Sequence, residues 1–126
     1  MNAKAISIID ENRFTRICSA ILELEGYTVS RPGPAKDIGH WHDGHNVGLI
    51  ITSYPFCKPF AKTFKSKKIP TIVLSDYIDQ ELIDLTKECG NSCFMLKPLD
   101  YKNFTLFIHN IMTGDVNALN GGYYAR

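Results

Sequence analysis

At 126 residues the chain has the length of one ordinary domain, and with 44% hydrophobic residues it carries enough apolar mass to bury a core. A net charge of +1 gives no bulk reason to expect nucleic acid or a membrane surface as a partner. No apolar run reaches the roughly 18–20 residues that span a bilayer, and MNAKAISIIDENRF meets Asp10 and Glu11 too soon for a secretory signal, so a cytoplasmic location is expected.

AISII (5–9) is a short β-branched run and reads as a buried strand. Residues 12–25 follow with Phe14, Ile17, Cys18, Ile21 and Leu24 at helical spacing, which predicts a helix burying that stripe, with Gly26 as its stop. YTVS (27–30) is a second strand and RPGP (31–34) a turn; residues 35–42 have the makings of a short helix weakened by nearby glycines. The third strand covers 47–52. A helix runs from Pro59 to Lys67 with Phe60 and Phe64 on one side, and proline suits its first turn.

PTIVLS (70–75) is the fourth strand. Ile78, Leu82, Leu85 and Cys89 mark a helix over 79–89, CFML (93–96) the fifth strand, and Asp100 caps a last helix carrying Phe104, Phe107, Ile108 and Ile111. The tail from 114 to 126 has no period and reads as a flexible end to a single domain whose core covers about 4–113.

Strands and helices alternate strictly, and the strands are apolar without polar alternation. That combination predicts an α/β fold with a parallel sheet covered on both faces and right-handed crossovers. In such sheets ligands gather beyond the carboxyl ends of the strands. Strand one ends in Asp10-Glu11, strand three in Thr52-Ser53, strand four in Ser75-Asp76 and strand five in Lys97-Pro98, so carboxylates, hydroxyls and a lysine converge on one rim.

These residues carry a resemblance. IIDENRF, ILELEGYTV, IPTIVLSD and FMLKPLDYKNF, in this order on these strand ends, resemble the receiver domain of bacterial two-component response regulators over roughly residues 4–113. The resemblance implies a flavodoxin-like (βα)5 sheet of order 2-1-3-4-5. It implies that Asp10 and Glu11 match the acidic pair that helps hold Mg²⁺, that Ser75 and Lys97 match the phosphate-contacting hydroxyl and lysine, that Phe94 matches the switch aromatic, and that Pro98 permits the cis bond common after that lysine. It also implies contact with partners through the helix at 79–89, the strand at 93–96 and the helix from 100.

Where the family has a phosphoaccepting aspartate, the first polar residue after the apolar run is Thr52; aligning on Pro55 gives Ile51, and neither is a carboxylate. The segment from Thr52 to Ser75 is shorter than usual. An acyl phosphate needs a carboxylate nucleophile, and Mg²⁺ is usually held through carboxylates plus phosphate. The expectation is an atypical receiver in two-component-type signalling. It is not an enzyme, and it acts through a signalling partner or self-association rather than aspartyl phosphorylation. Its pocket of Asp10, Glu11, Thr52, Ser75 and Lys97 is degenerate, Mg²⁺ at Asp10 and Glu11 is weak, and neither nucleic acid nor membrane is a partner. A receiver still answering a phosphoryl donor or Mg²⁺ through a non-standard site is the nearest alternative.

Other features point elsewhere. His40, His42 and His45 with Asp43 are sensible transition-metal ligands and raise the alternative of a metal-binding module, although their spacing matches no standard site. Lys58, Lys62, Lys65, Lys67 and Lys68 make one helix and its exit basic, as a solvated face does. Cys89 and Cys93 are three residues apart, which is not a CxxC spacing, and all four cysteines read as reduced packing residues.

Overall fold

The computed structural model describes residues 5–10, 12–30, 47–67, 69–89, 92–96, 101–113 and 123–124. Chain order gives β1 (Ala5–Ile9), α1 (Asn12–Leu24), β2 (Val29–Ser30), β3 (Val47–Ser53), a 3-10 turn (Lys58–Phe60) leading into α2 (Ala61–Lys67), β4 (Thr71–Ser75), α3 (Gln80–Glu88), β5 (Ser92–Leu96), α4 (Tyr101–Met112) and β6 (Tyr123–Tyr124). The sheet is parallel, with the order β2-β1-β3-β4-β5-β6. The five strands predicted from sequence take the 2-1-3-4-5 order of the flavodoxin-like fold.

Strand alternation sorts the apolar residues into two cores. Ile6, Ile8, Leu49, Ile51, Ile72, Leu74, Cys93 and Met95 pack with Cys18 and Leu22 of α1 and with Phe104, Phe107, Ile108 and Ile111 of α4. Ile9, Ile50, Val73 and Phe94 pack with Phe64 of α2 and with Leu82 and Leu85 of α3. Helices therefore cover both faces, and burial on both sides is why the strands lack polar alternation.

The ends of the elements follow their local chemistry. Asp79 caps α3, its side chain accepting from the Leu82 N–H at 2.8 Å. α1 closes on Gly26, whose φ of +96° lets the Gly26 N–H reach the Glu23 carbonyl and the Tyr27 N–H the Leu22 carbonyl.

Two expectations change. α1 does not bury Ile17 and Leu24: they are 48% and 87% exposed, while Thr15, Cys18, Ser19 and Leu22 face the sheet. The helix is turned by roughly 100°, about one residue, from the stripe the sequence suggests. Apolar residues lie on two sides of this helix, so periodicity alone does not choose between them. Thr15, which donates to the Asp10 carbonyl at 3.2 Å, belongs to the inward side. Ile78 is likewise exposed, lying ahead of the Asp79 cap rather than inside the helix.

The tail also contributes to the sheet, as Tyr123 and Tyr124 pair in parallel with Phe94 and Met95. The expected helix over 35–42 and the Asp100 cap lie outside the described residues.

Candidate functional site

The register of the central strands builds the rim. Ile9 sits beside Thr52 and Thr52 beside Val73, so the residues after them, Asp10 and Ser53, emerge together at the carboxyl edge. The Ser53 hydroxyl donates to Asp10 Oδ1 at 2.7 Å. Asp10, Ser53 and Asp76 line a cleft of about 350 Å³, with Phe14, Tyr54, Pro55 and Phe56 forming its apolar walls.

Thr52 is fully buried, and its Oγ1 has no hydrogen-bond partner among the described residues. It is one residue short of the cleft and on the opposite face of the strand from Ser53. The hydroxyl that stands next to the acidic residue is therefore Ser53. Sequence reading centred on Thr52 because it is the first polar residue after the apolar run, whereas β3 continues through Ser53. Counting one further pleat was the only signal available.

Ser75 is also fully buried, and its hydroxyl serves its own loop. It donates to the Tyr77 carbonyl at 2.7 Å and accepts from the Tyr77 N–H at 3.3 Å. Phe94 is 3% exposed and packs in the core beneath α2 and α3. Glu11, Lys97 and Pro98 lie outside the described residues, as do His40, His42 and His45. The cis bond among the described residues is Tyr54–Pro55.

A second cluster, which sequence reading missed, joins the loop after β3 to α3. The Tyr54 hydroxyl donates to Glu81 Oε1, and Lys58 Nζ lies 2.6 Å from Glu81 Oε2. Hydrogen bonds from Lys58 and then Tyr54 hold the Glu81 carboxyl below its ordinary range. The same contacts raise Tyr54 and Lys58. Tyr77 meets the Tyr54 ring edge-on at 6.1 Å. Two residues 23 and 27 positions from Glu81 cannot be paired with it by spacing; the shared rim brings them together.

For Mg²⁺ the described residues offer Asp10, which accepts from Ser53, and Asp76, which lines the same cleft. No group of three His, Cys, Asp or Glu side chains suited to a metal forms among the described residues, so by themselves they do not make a cage for the ion. The four thiols are buried and free. Cys89 and Cys93 sit in different cores, which separates them as a redox pair. Lys62 and Lys65 are exposed, as a solvated basic face requires. No helix among the described residues is long and apolar enough to cross a membrane.

No protein-family model and no curated protein matches the chain. Solved structures do. A response regulator from Thermotoga maritima aligns with a TM-score of 0.72 at 18% identity, covering 90% of this chain and 100% of its own. A CheY-like response regulator receiver domain protein from Methanospirillum hungatei aligns at 0.71 and 18%, covering 92% and 98%. The beryllofluoride-activated NtrC4 receiver domain, solved as a dimer, aligns at 0.68 and 19%, covering 86% and 96%. With its 2-1-3-4-5 sheet and its acidic residue at the end of β1, the chain has the fold of the CheY-like response-regulator receiver domains.

Proposed function

We propose that this protein is a receiver-type signalling domain that works by docking other proteins and is not switched by aspartyl phosphorylation. The observation that carries this reading is the Ser53–Asp10 hydrogen bond. At the carboxyl end of β3, beside the acidic residue of β1, stands a hydroxyl and not a carboxylate. A serine phosphate ester would lack the lability of an acyl phosphate, so a phosphoryl group on Ser53 would not make the self-limiting signal that an aspartyl phosphate makes. Ser75, the hydroxyl at the end of β4, is engaged by Tyr77.

In this reading the protein is not an enzyme. Mg²⁺ binds weakly at Asp10, with Glu11 beside it in sequence, and Lys97 serves as a standing counter-charge for the acidic rim. The chain works in the cytoplasm, with neither nucleic acid nor membrane as its partner. The candidate docking surface is formed by α3, β5 and α4, and β6 lies along the outer edge of β5 within it. Self-association is one form such docking takes, as in the NtrC4 receiver dimer.

The test is an amide NMR titration with Mg²⁺, followed by Mg²⁺ with beryllofluoride. The expected result is a small shift at Asp10 that does not saturate with Mg²⁺, and no further change at Asp10, Ser53 or Ser75 when beryllofluoride is added. Saturable shifts that spread from Asp10 or Asp76 to Phe94 would overturn the reading and establish a phosphoryl-responsive site of non-standard composition.

A further inference from the structure

The outward face of α1 exposes three apolar residues, Ile17, Ala20 and Leu24, between charged ones. Arg13, Ile17, Ala20 and Leu24 are all exposed, and their 4-3-4 spacing places them in one narrow stripe. At about 100° per residue this stripe lies opposite the face formed by Thr15, Cys18, Ser19 and Leu22, so it is not a frayed margin of the core. Its spacing is that of the seam between two packed helices.

The charges of α1 are reversed with respect to the helix itself. Arg13 and Arg16 lie near its N-terminus and Glu23 in its last turn, with no acidic residue in the first turn and no basic residue in the last. The macrodipole disfavours each of these positions. With Ile17 and Leu24 at a-type seam positions and Arg13 and Ala20 at d-type positions, Arg16 and Glu23 both fall on the g-type flank. In an antiparallel helix pair, g-type flanks face each other. Arg16 of one copy then meets Glu23 of the other, twice, about one two-fold axis. The same axis brings Ile17 opposite Ala20, where the small side chain permits close approach. It also lays Arg13 over Leu24, at the C-terminal end of the other helix, where a cation is favoured. A parallel pair would satisfy neither charge.

We propose that α1 is a self-association surface: two copies of this chain pack their α1 helices antiparallel through Ile17, Ala20 and Leu24, with reciprocal Arg16–Glu23 pairs. This proposal is independent of the chemistry at the Asp10 rim, and it uses a different surface from that of α3, β5 and α4. A single helix face is small beside the ~800 Å² per partner of a stable interface, so the dimer is weak and concentration-dependent.

Sedimentation equilibrium of the full chain over ~1 µM to ~1 mM tests it. The expected mass rises from the 14.2 kDa monomer toward twice that value. Arg16→Glu and Glu23→Arg, both at exposed positions, each weaken association about 10-fold, and the double variant, in which the pairs are re-formed with opposite sign, recovers it. Leu24→Lys, at a position 87% exposed and at the helix end where a cation is favoured, sets a second charge against Arg13 of the other copy and abolishes the dimer without lowering the melting temperature of the dilute monomer. A chain that stays monomeric throughout, a dimer indifferent to these substitutions, or a double variant no better than either single one would each overturn the proposal.

Discussion

Ser53 and Thr52 are neighbours with opposite environments, and the difference decides what each position tolerates. Ser53 reaches the cleft and donates to Asp10, whereas the Thr52 hydroxyl is sealed inside with no partner among the described residues. A carboxylate at position 53 would stand within hydrogen-bond distance of Asp10 but in contact with the cleft. One at position 52 would be enclosed in the core, where an unpaired charge costs several kcal/mol. Ser53→Asp is therefore expected to fold, to lose about 1 kcal/mol by repulsion from Asp10 in the absence of divalent cations, and to regain stability as Mg²⁺ is added. Thr52→Asp is expected to unfold at low denaturant with or without the ion. Urea melts with and without Mg²⁺ separate the two, and an Mg²⁺-responsive Thr52→Asp would place the acceptor position one residue earlier than the geometry does.

Among the elements, α1 shows how termination and facing are set by different forces. Its end is local: Gly26 at φ +96° allows the two closing hydrogen bonds, and a Cβ there would meet no atom within 4 Å, so the strain of a substitution lies in the backbone alone. Gly26→Ala is expected to cost about 1–2 kcal/mol, the left-handed penalty of a residue with a Cβ, read as a lower urea midpoint with an unchanged slope. A loss well beyond this range would mean that a side chain at 26 disturbs packing the structure does not record. The facing of α1 is not local. Thr15 and Ser19 are polar yet buried, while Leu24 is apolar yet exposed, because the inward side is the one that fits the sheet and the β1 terminus. α3 is simpler: its only apolar stripe is the buried one, and an aspartate caps it.

At the scale of the whole molecule, both cores contain thiols that burial keeps protonated. Cys18, Cys57, Cys89 and Cys93 are each pushed from 9.0 to about 12, with desolvation the first cause in every case. Since the folded state holds these protons more tightly than the unfolded state, their contribution to stability is complete below about pH 9 and is lost as the pH rises from there toward 12. Ellman's reagent at about pH 8 is expected to leave all four thiols unmodified in the native protein and to titrate all four in denaturant. The urea midpoint should then fall steadily above about pH 9. Rapid labelling of the folded chain at pH 8 would show that one core opens readily.

The amino-acid sequence by itself determined the alternation of strands and helices and hence the doubly covered parallel sheet. Runs such as AISII and TIVLS have no polar face to offer water, and stripes such as Phe104, Phe107, Ile108 and Ile111 have one way to be buried. It also placed Asp10 at the carboxyl rim, because a chain that leaves an apolar strand in an acidic residue must bring that residue out at the strand's end. Only the tertiary structure decided which hydroxyl stands beside Asp10, since one residue of strand length reverses the face of every side chain. It decided which side of α1 faces inward, since two apolar stripes compete for one sheet. It joined Tyr54, Lys58 and Glu81, and it set Tyr123 and Tyr124 against β5. Such contacts depend on where distant segments meet, and neither periodicity nor spacing along the chain encodes that distance.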